Sequence, residues 1–334
     1  MQVKLLGKFG MDKFSFFKEK KVLVTGSSGL LGSWLIEELI NNDALVTGVS
    51  IDDSKDELLI NKGIKNNIDT HYVNISDFDE IENIMSSADF DIVFHLAAQT
   101  QVIEARENPL ETLKSNVQGT WNVLENCRRL NLPLVCASSD KAYGVSENLP
   151  YLESHPLSGE FPYEVSKSSS DLITTMYQTT YGLKVATLRC GNIFGGGDFN
   201  WDRLIPGIIK TLIENDIPVL RTQGDFIREW VYVKDVVNAY LEVGKAVVQE
   251  RNNFVAYNFS SGDIKNVMEI YELISIILKG DIVKPKILLD SEFEIKNQRL
   301  DSSLIKSDLN ISSKFNLNES LNETIAWYKK YLSN

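Results

Sequence analysis

Apolar residues in this chain come in short unbroken runs rather than in strict alternation. "KVLVT" (21–25), "ALVTGVSI" (44–51), "DIVFHLA" (91–97), "LPLVCAS" (132–138) and "KVATLRC" (184–190) are compact and rich in β-branched types. Strands apolar on both faces belong to parallel sheets covered by helices on each side. Between these runs the period lengthens. "LLGSWLIEELI" (30–40) carries apolar residues at helical spacing, and segments 107–130 and 163–181 are long enough for crossover helices. Strand and helix alternating in this way predict an α/β fold built on a Rossmann-type, doubly wound parallel sheet.

After about residue 192 the regularity loosens. "GGGDFNWDRLIP" (195–206) reads as loop, "GIIKTLIEN" (207–215) as helix, "REWVYV" (228–233) as strand and "DVVNAYLEVGKAVV" (235–248) as helix. "LNESLNETIAWYKKYL" (317–332) predicts a closing amphipathic helix. The expected organisation is a Rossmann domain over 1–192, with 1–19 as an N-terminal extension. Residues 193–334 then form mainly a smaller C-terminal substrate-binding lobe, with 228–250 packing back on the first domain and a cleft between the two.

Composition narrows the function classes. The chain has 334 residues, 43% hydrophobic and 24% charged, as expected of a globular protein with ample core. A net charge of -12 argues against nucleic acid or an anionic membrane surface as partner. Cys127, Cys136 and Cys190 lie in apolar surroundings without CxxC spacing, and read as buried free thiols in a reducing compartment. His71, His95 and His155 are scattered and form no zinc signature, so no metal is expected. The opening residues carry no apolar run long enough for a signal core or a membrane span, which predicts a cytoplasmic protein.

"VTGSSGLLGSWL" places Gly26, Gly29 and Gly32 directly after the first strand and at the start of a helix. Glycines there let the chain turn sharply and let a pyrophosphate approach the backbone, on the positive end of the helix. Asp52, 26 positions beyond Gly26 at the end of the second strand, is placed to accept hydrogen bonds from an adenosine ribose, which favours NAD over NADP. Asp53 competes for that role. "FPYEVSKSSSDLI" sets Tyr163 and Lys167 on one helical face. A phenol titrates near ~10, and a neighbouring ammonium together with a positive nicotinamide ring favours its phenolate. "SSDKAYG" (138–144) presents Ser139, Asp140 and Lys141 at the end of an apolar strand.

Together with "FHLAAQ" (94–99), "NVQGT" (116–120), "RCGNIFGGGD" (189–198), "DRLIP" (202–206), "IREWVYVKD" (227–235) and "YNFSSG" (257–262), these stretches resemble an extended short-chain dehydrogenase/reductase of the nucleotide-sugar type, over roughly residues 20–330. The resemblance implies NAD as cofactor, a nucleotide sugar as substrate and a homodimer through helices near 107–130 and 163–181. It implies cofactor contacts from Gly26, Ser28, Gly29, Leu30, Leu31, Gly32, Asp52, Asn74, Ile75, Leu96, Ala97, Ala98, Tyr163 and Lys167. Asn74 stands where many relatives carry Asp, and its side-chain carbonyl is expected to take the adenine amino group. Gln99, Asn192, Arg203 and Arg228 are the implied substrate contacts, Arg being suited to pyrophosphate by its charged planar fork. Arg203 reads nearly as well as an exposed helix-start residue, and Gln298 and Arg299 as site or as surface.

Enzymes of this kind first oxidise a sugar hydroxyl, and the residues after Ser139 distinguish the chemistry of the second step. A 4-epimerase needs no further acid/base pair, whereas removing water across C5 and C6 needs a group for each end. Asp140-Lys141 therefore points to a nucleotide-sugar 4,6-dehydratase, and resembles the CDP-glucose enzymes most. In that reading Ser139 holds the 4-hydroxyl, Tyr163 takes its proton, Asp140 protonates the departing 6-hydroxyl and Lys141 acts at C5. Lys141 serves there as base, which requires burial or a nearby cation to bring it down from ~10.4, or as a cation that stabilises the enolate. A 4-epimerase, a decarboxylase and a non-catalytic NAD-binding sensor are the alternatives.

Overall fold

The computed structural model describes residues 15–289 and 294–333. Most of the expected N-terminal extension, and the first part of the 290–301 loop, lie outside them. Six strands enter one sheet in succession: β1 (Lys21–Thr25), β2 (Leu45–Ser50), β3 (Asp69–Tyr72), β4 (Ile92–His95), β5 (Leu134–Ser139) and β6 (Val185–Cys190). β7 (Asn192–Phe194), β8 (Val219–Leu220) and β9 (Ile227–Tyr232) leave it, and β10 (Ala256–Phe259) returns. β11 (Ile264–Asn266) and β12 (Lys286–Ile287) leave it again. The sheet order is β10-β6-β5-β4-β1-β2-β3, with every neighbouring pair parallel. The chain winds outward from β1 to β3, then returns to β4 and winds the other way. The crevice outside β1 and β4 is thus the topological switch point where doubly wound sheets bind ligands.

The unbroken apolar runs have a direct cause. Successive residues of each central strand enter different cores: Val22, Val24, Ile92, Phe94 and Val135 join one, while Leu23, Val93, Leu134 and Cys136 join the other. The first core is roofed by the Leu30–Asn41 and Val233–Val248 helices, through Leu35, Ile36, Leu39, Val236 and Tyr240. The second is roofed by Phe78–Ser86 and Gly119–Leu130, through Ile81, Ile84, Val123 and Leu124. With both faces buried, no position is left for alternation. A third core gathers Ile208, Leu212, Trp230, Ile270, Ile274, Leu321 and Tyr328 around β7, β9 and the Leu204–Ile213, Val267–Lys279 and Leu317–Leu332 helices. Trp34 packs against both the first and the third core, its indole N–H donating to the Gly196 carbonyl at 2.9 Å.

Two strands stand outside the apolar runs read from the sequence, and one helix starts earlier than expected. β3 is an edge strand of Asp69, Thr70, His71 and Tyr72, with no residue fully buried, so it shows no apolar run. β10 is short and lies next to β6. The helix expected from 207 begins at Leu204, because Pro206 falls in its first turn, where a missing N–H costs nothing. Among the described residues no helix is long and apolar enough to cross a membrane, and all three cysteines are free and buried.

One ion pair crosses the sheet–helix boundary. The Arg189 guanidinium on β6 donates from Nε and Nη2 to both Asp171 carboxylate oxygens at 2.8 Å, with both side chains almost wholly buried. Removing one partner of a buried pair strands the other charge. Arg189→Met is therefore expected to lower the unfolding free energy by about 3–5 kcal/mol, measured by urea denaturation; a loss under about 1 kcal/mol contradicts the assignment.

Candidate active site

The glycine turn is closed by contacts that leave no room for a side chain. Gly26 has φ +71, and a Cβ there would lie 2.7 Å from the Ala97 nitrogen. A Cβ on Gly32 would overlap the Gly26 carbonyl oxygen. Gly29 is different: its nearest neighbour is that same oxygen at 3.4 Å, an ordinary contact, so space remains on its outer side. Gly29 caps the Leu30–Asn41 helix without a side-chain bond, which leaves first-turn N–H groups, those of Leu30 and Leu31 among them, for an anion. This cradle fits a dinucleotide pyrophosphate.

Other expected cofactor contacts surround it. The Ser28 and Ser50 hydroxyls share a hydrogen bond of 2.7 Å, pinning the turn to the end of β2. Asp52, just beyond, is half-buried and accepts from the Ser54 hydroxyl, whereas Asp53 is exposed. Leu96 and Ala97 continue β4, held by Thr25 through its carbonyl and hydroxyl. The Asn74 side-chain carbonyl, expected to meet the adenine, accepts here from the Ser76 N–H and hydroxyl at 3.0 and 2.8 Å. Both lone pairs are in local use. Ile75 turns its side chain into the second core, beside Gly119.

At the end of β5, Ser139 caps a single 3-10 turn, Asp140–Tyr143, by accepting the Lys141 N–H. Its hydroxyl donates to Asp140 Oδ1 at 3.0 Å. Lys141 Nζ lies 3.8 Å from that oxygen and donates to Gln298 Oε1 at 3.4 Å. Tyr163 and Lys167 stand one turn apart on the buried face of the Pro162–Tyr181 helix. Burial pushes the Tyr163 phenol up to about 12, against the pull of the Arg203 guanidinium and a hydrogen bond with Ser139. Burial also lowers Lys167, to about 8, and its Nζ donates to the Ala137 carbonyl at 3.3 Å. Burial by itself thus works against the phenolate, which was expected from the ammonium together with a bound positive nicotinamide ring.

Arg203 and Arg228 both reach this region, already partnered. Arg203 Nη1 pairs with Asp198 at 2.9 Å and Nη2 donates to the Thr100 hydroxyl at 2.8 Å. Arg228 is buried and donates from Nη1 to the Ile227 and Lys296 carbonyls, with Nη2 3.4 Å from Glu294. Asn192 is half-buried on β7, in register with Trp230. Ala98 and Gln99 follow β4, and the Gln99 side-chain nitrogen donates to the Gln101 carbonyl.

Sequence reasoning missed two residues here. Asn116 sits in a wide π turn, Lys114–Gln118, and is buried. It accepts the Gln99 N–H at 2.7 Å and donates to the Gln99 carbonyl and the Ser166 hydroxyl, each at 2.9 Å, clamping the β4 loop to the tyrosine helix. Glu229 follows Arg228 on β9 and is 2% exposed. It accepts the Leu300 N–H at 2.9 Å. Burial raises its carboxyl to about 7, and the Asp140 charge adds to the rise. An acid inside the apolar stretch "REWVYV" was the available signal.

Two outcomes test this geometry. Gly32→Ala forces the cradle open, and a loss of more than tenfold in NAD affinity is expected by fluorescence titration, with about 1–3 kcal/mol of stability lost. Because folding raises the Glu229 pKa, its protonated form favours the native state below about pH 4.5, and that advantage is lost as the pH rises toward 7. Glu229→Gln should therefore gain on the natural chain between pH 5 and 7.5 by up to about 3 kcal/mol in denaturant unfolding; parallel pH curves contradict this.

Known proteins resemble this chain in sequence and fold. Residues 22–258 match the family model Epimerase, the NAD dependent epimerase/dehydratase family. A CDP-glucose 4,6-dehydratase of Salmonella typhimurium is 31% identical over 96% of this chain and 94% of its own length. A putative UDP-glucose 4-epimerase of Methanocaldococcus jannaschii is 30% identical over 92% of this chain and 98% of its own. The crystal structure of a UDP-glucose 4-epimerase from Thermotoga maritima, with UDP-glucose, superposes with a TM-score of 0.86 at 26% identity, covering 93% of this chain and 99% of that one. The chain belongs to the NAD-dependent epimerase/dehydratase family of extended short-chain dehydrogenase/reductases, with NAD as its cofactor, and is a nucleotide-sugar 4,6-dehydratase or 4-epimerase.

Proposed function

We propose that the protein is a nucleotide-sugar 4,6-dehydratase, with CDP-glucose the best candidate substrate. The observation that carries this reading is the Ser139-Asp140-Lys141 turn: a buried carboxyl and an amine 3.8 Å apart, beside a Ser139-bonded tyrosine. A 4-epimerase has no step for such a pair. The CDP-glucose 4,6-dehydratase of Salmonella typhimurium supports the choice of nucleotide.

Bound NAD supplies hydride acceptance at C4 and hydride return at C6. Ser139 holds the 4-hydroxyl and Tyr163 takes its proton as the ketone forms. Arg203 and Ser139 already pull the phenol down, and a positive ring bound beside it adds to that pull. The ketone weakens the C5–H bond. Lys141 acts there, and its partners, Gln298 Oε1 and Asp140 Oδ1, are both acceptors. That setting suits a donor that stabilises the enolate more than a base repelled by a neighbouring cation. A water molecule takes the C5 proton, Asp140 delivers its own proton to the departing 6-hydroxyl so that water leaves C6, and once hydride has returned to C6 a proton from solvent is added back at C5. The product is a 4-keto-6-deoxy sugar.

The dimer is a further part of this proposal. The helices Pro109–Leu113, Gly119–Leu130 and Pro162–Tyr181 expose Leu110, Trp121, Leu172 and Met176. A second copy of the chain covering this face explains large apolar side chains on neighbouring helices.

Incubation with CDP-, UDP-, dTDP- and GDP-glucose, followed by alkali, should develop the near-ultraviolet absorbance of a 4-keto sugar with one of them. An interconverted hexose without that absorbance identifies a 4-epimerase instead. Lys141→Met should retain NAD but lose solvent deuterium entry at C5; normal turnover in that variant sinks the role at C5. Sedimentation equilibrium should give twice the chain mass, reduced to one chain by Leu172→Glu; a monomeric natural chain refutes the dimer.

A further inference from the structure

The strap Glu294–Asp301 passes beside Arg228 and Lys141, and its backbone is held at Lys296 and at each residue from Gln298 to Asp301. The Ile227 N–H donates to the Lys296 carbonyl, Gln298 N–H to the Ile227 carbonyl, and Leu300 N–H to Glu229. Tyr151 N–H donates to the Arg299 carbonyl and Asp301 N–H to the Tyr151 carbonyl, at 2.7 and 2.9 Å. The side chain of Gln298 is wholly buried on this fixed frame. Its carboxamide oxygen faces Lys141, a group that can only donate, which fixes which end is oxygen. The other end, Nε2, is a buried donor without a protein partner.

Buried donors are almost always paired, and one left open beside reacting groups marks a place for a ligand. Nε2 shares its carbon with the oxygen that Lys141 contacts, so it stands at the same end of the site as Lys141. Under the dehydratase reading, on which this inference rests, Lys141 and Asp140 work at C5 and C6. An N–H donor next to them meets the oxygen on C6.

We propose that Gln298 is a specificity-determining residue that donates Nε2–H to the 6-hydroxyl oxygen of the hexose while its Oε1 positions Lys141. A site with a buried donor for one hydroxyl discriminates strongly against the analogue lacking it, because the donor is then left unpaired. Gln298 thereby selects sugars that carry the group to be eliminated. The same hydrogen bond supports the oxygen as it takes up the Asp140 proton and leaves.

The test compares binding of CDP-glucose and CDP-6-deoxyglucose to the NAD-loaded enzyme by calorimetry, repeated with the UDP, dTDP and GDP pairs. The natural enzyme should prefer the 6-hydroxyl sugar at least tenfold within the pair it binds best. Gln298→Leu, similar in volume, should shrink that preference to under threefold while NAD affinity and melting temperature stay unchanged. Gln298→Glu, which replaces the donor by an acceptor, should remove it as well. A natural enzyme with no preference in any pair overturns the proposal, as does a Leu variant that keeps the tenfold preference. If Gln298→Leu does not fold, Gln298→Glu and Gln298→Met are read by the same two criteria. The readout is binding, so it is independent of turnover: failure to form any 4-keto sugar counts against the dehydratase reading, and a lost or kept 6-hydroxyl preference decides Gln298.

Discussion

The arrangement depends most on the guanidinium of Arg189. From β6 it grips Asp171 on the tyrosine helix with two bonds, and its third nitrogen donates to the Tyr143 hydroxyl at 2.7 Å. Tyr143 closes the turn that carries Asp140 and Lys141, stacks on Tyr151 with ring centroids 4.7 Å apart, and donates to Asn258 on β10. Asn258 in turn donates to the Tyr151 carbonyl. One buried cation thus joins the sheet, the helix of Tyr163 and Lys167, and the acid turn. The parts that must meet over a sugar are registered from below, by groups that need never touch it.

Above that support the chemistry is set by burial. Tyr163, Lys167, Asp140 and Glu229 are all nearly inaccessible, and for Tyr163, Lys167 and Glu229 loss of water is the largest influence on protonation. The Asp140 charge is felt at Tyr163, Glu229 and Arg228, which places it at the electrostatic centre of the site. His95, by contrast, is a buried histidine between the Thr25 and Thr120 hydroxyls, pushed down to about 3 by burial and so held neutral. It braces β4.

Sequence separation decides how much of this was legible in the chain. The central strands are readable because both faces are buried and most of their residues are apolar. The turn of Gly26, Gly29 and Gly32 is readable because its three glycines fall within seven residues. Ser139 to Lys141 form one local turn, and Tyr163 and Lys167 one helical turn. What escapes is assembled from afar. Arg189 meets Asp171 and Tyr143 across 18 and 46 positions, Glu229 meets Leu300 across 71, and Lys141 meets Gln298 across 157. No local period encodes such pairs.

The wide turn at Lys114–Gln118 carries one last implication. Its Asn116 carbonyl is shared by the Thr120 and Ser170 hydroxyls, so the groups freed by the irregular winding are taken up by two helices. An ordinary helix advances about 100° per residue. Removing or adding a single position would therefore swing Asn116 away from Gln99 and Ser166 by roughly a quarter of a circle. The length of this segment, more than its composition, keeps the loop after β4 in phase with the tyrosine helix. Insertions and deletions that a surface loop absorbs freely would here throw the two halves of the catalytic centre out of step.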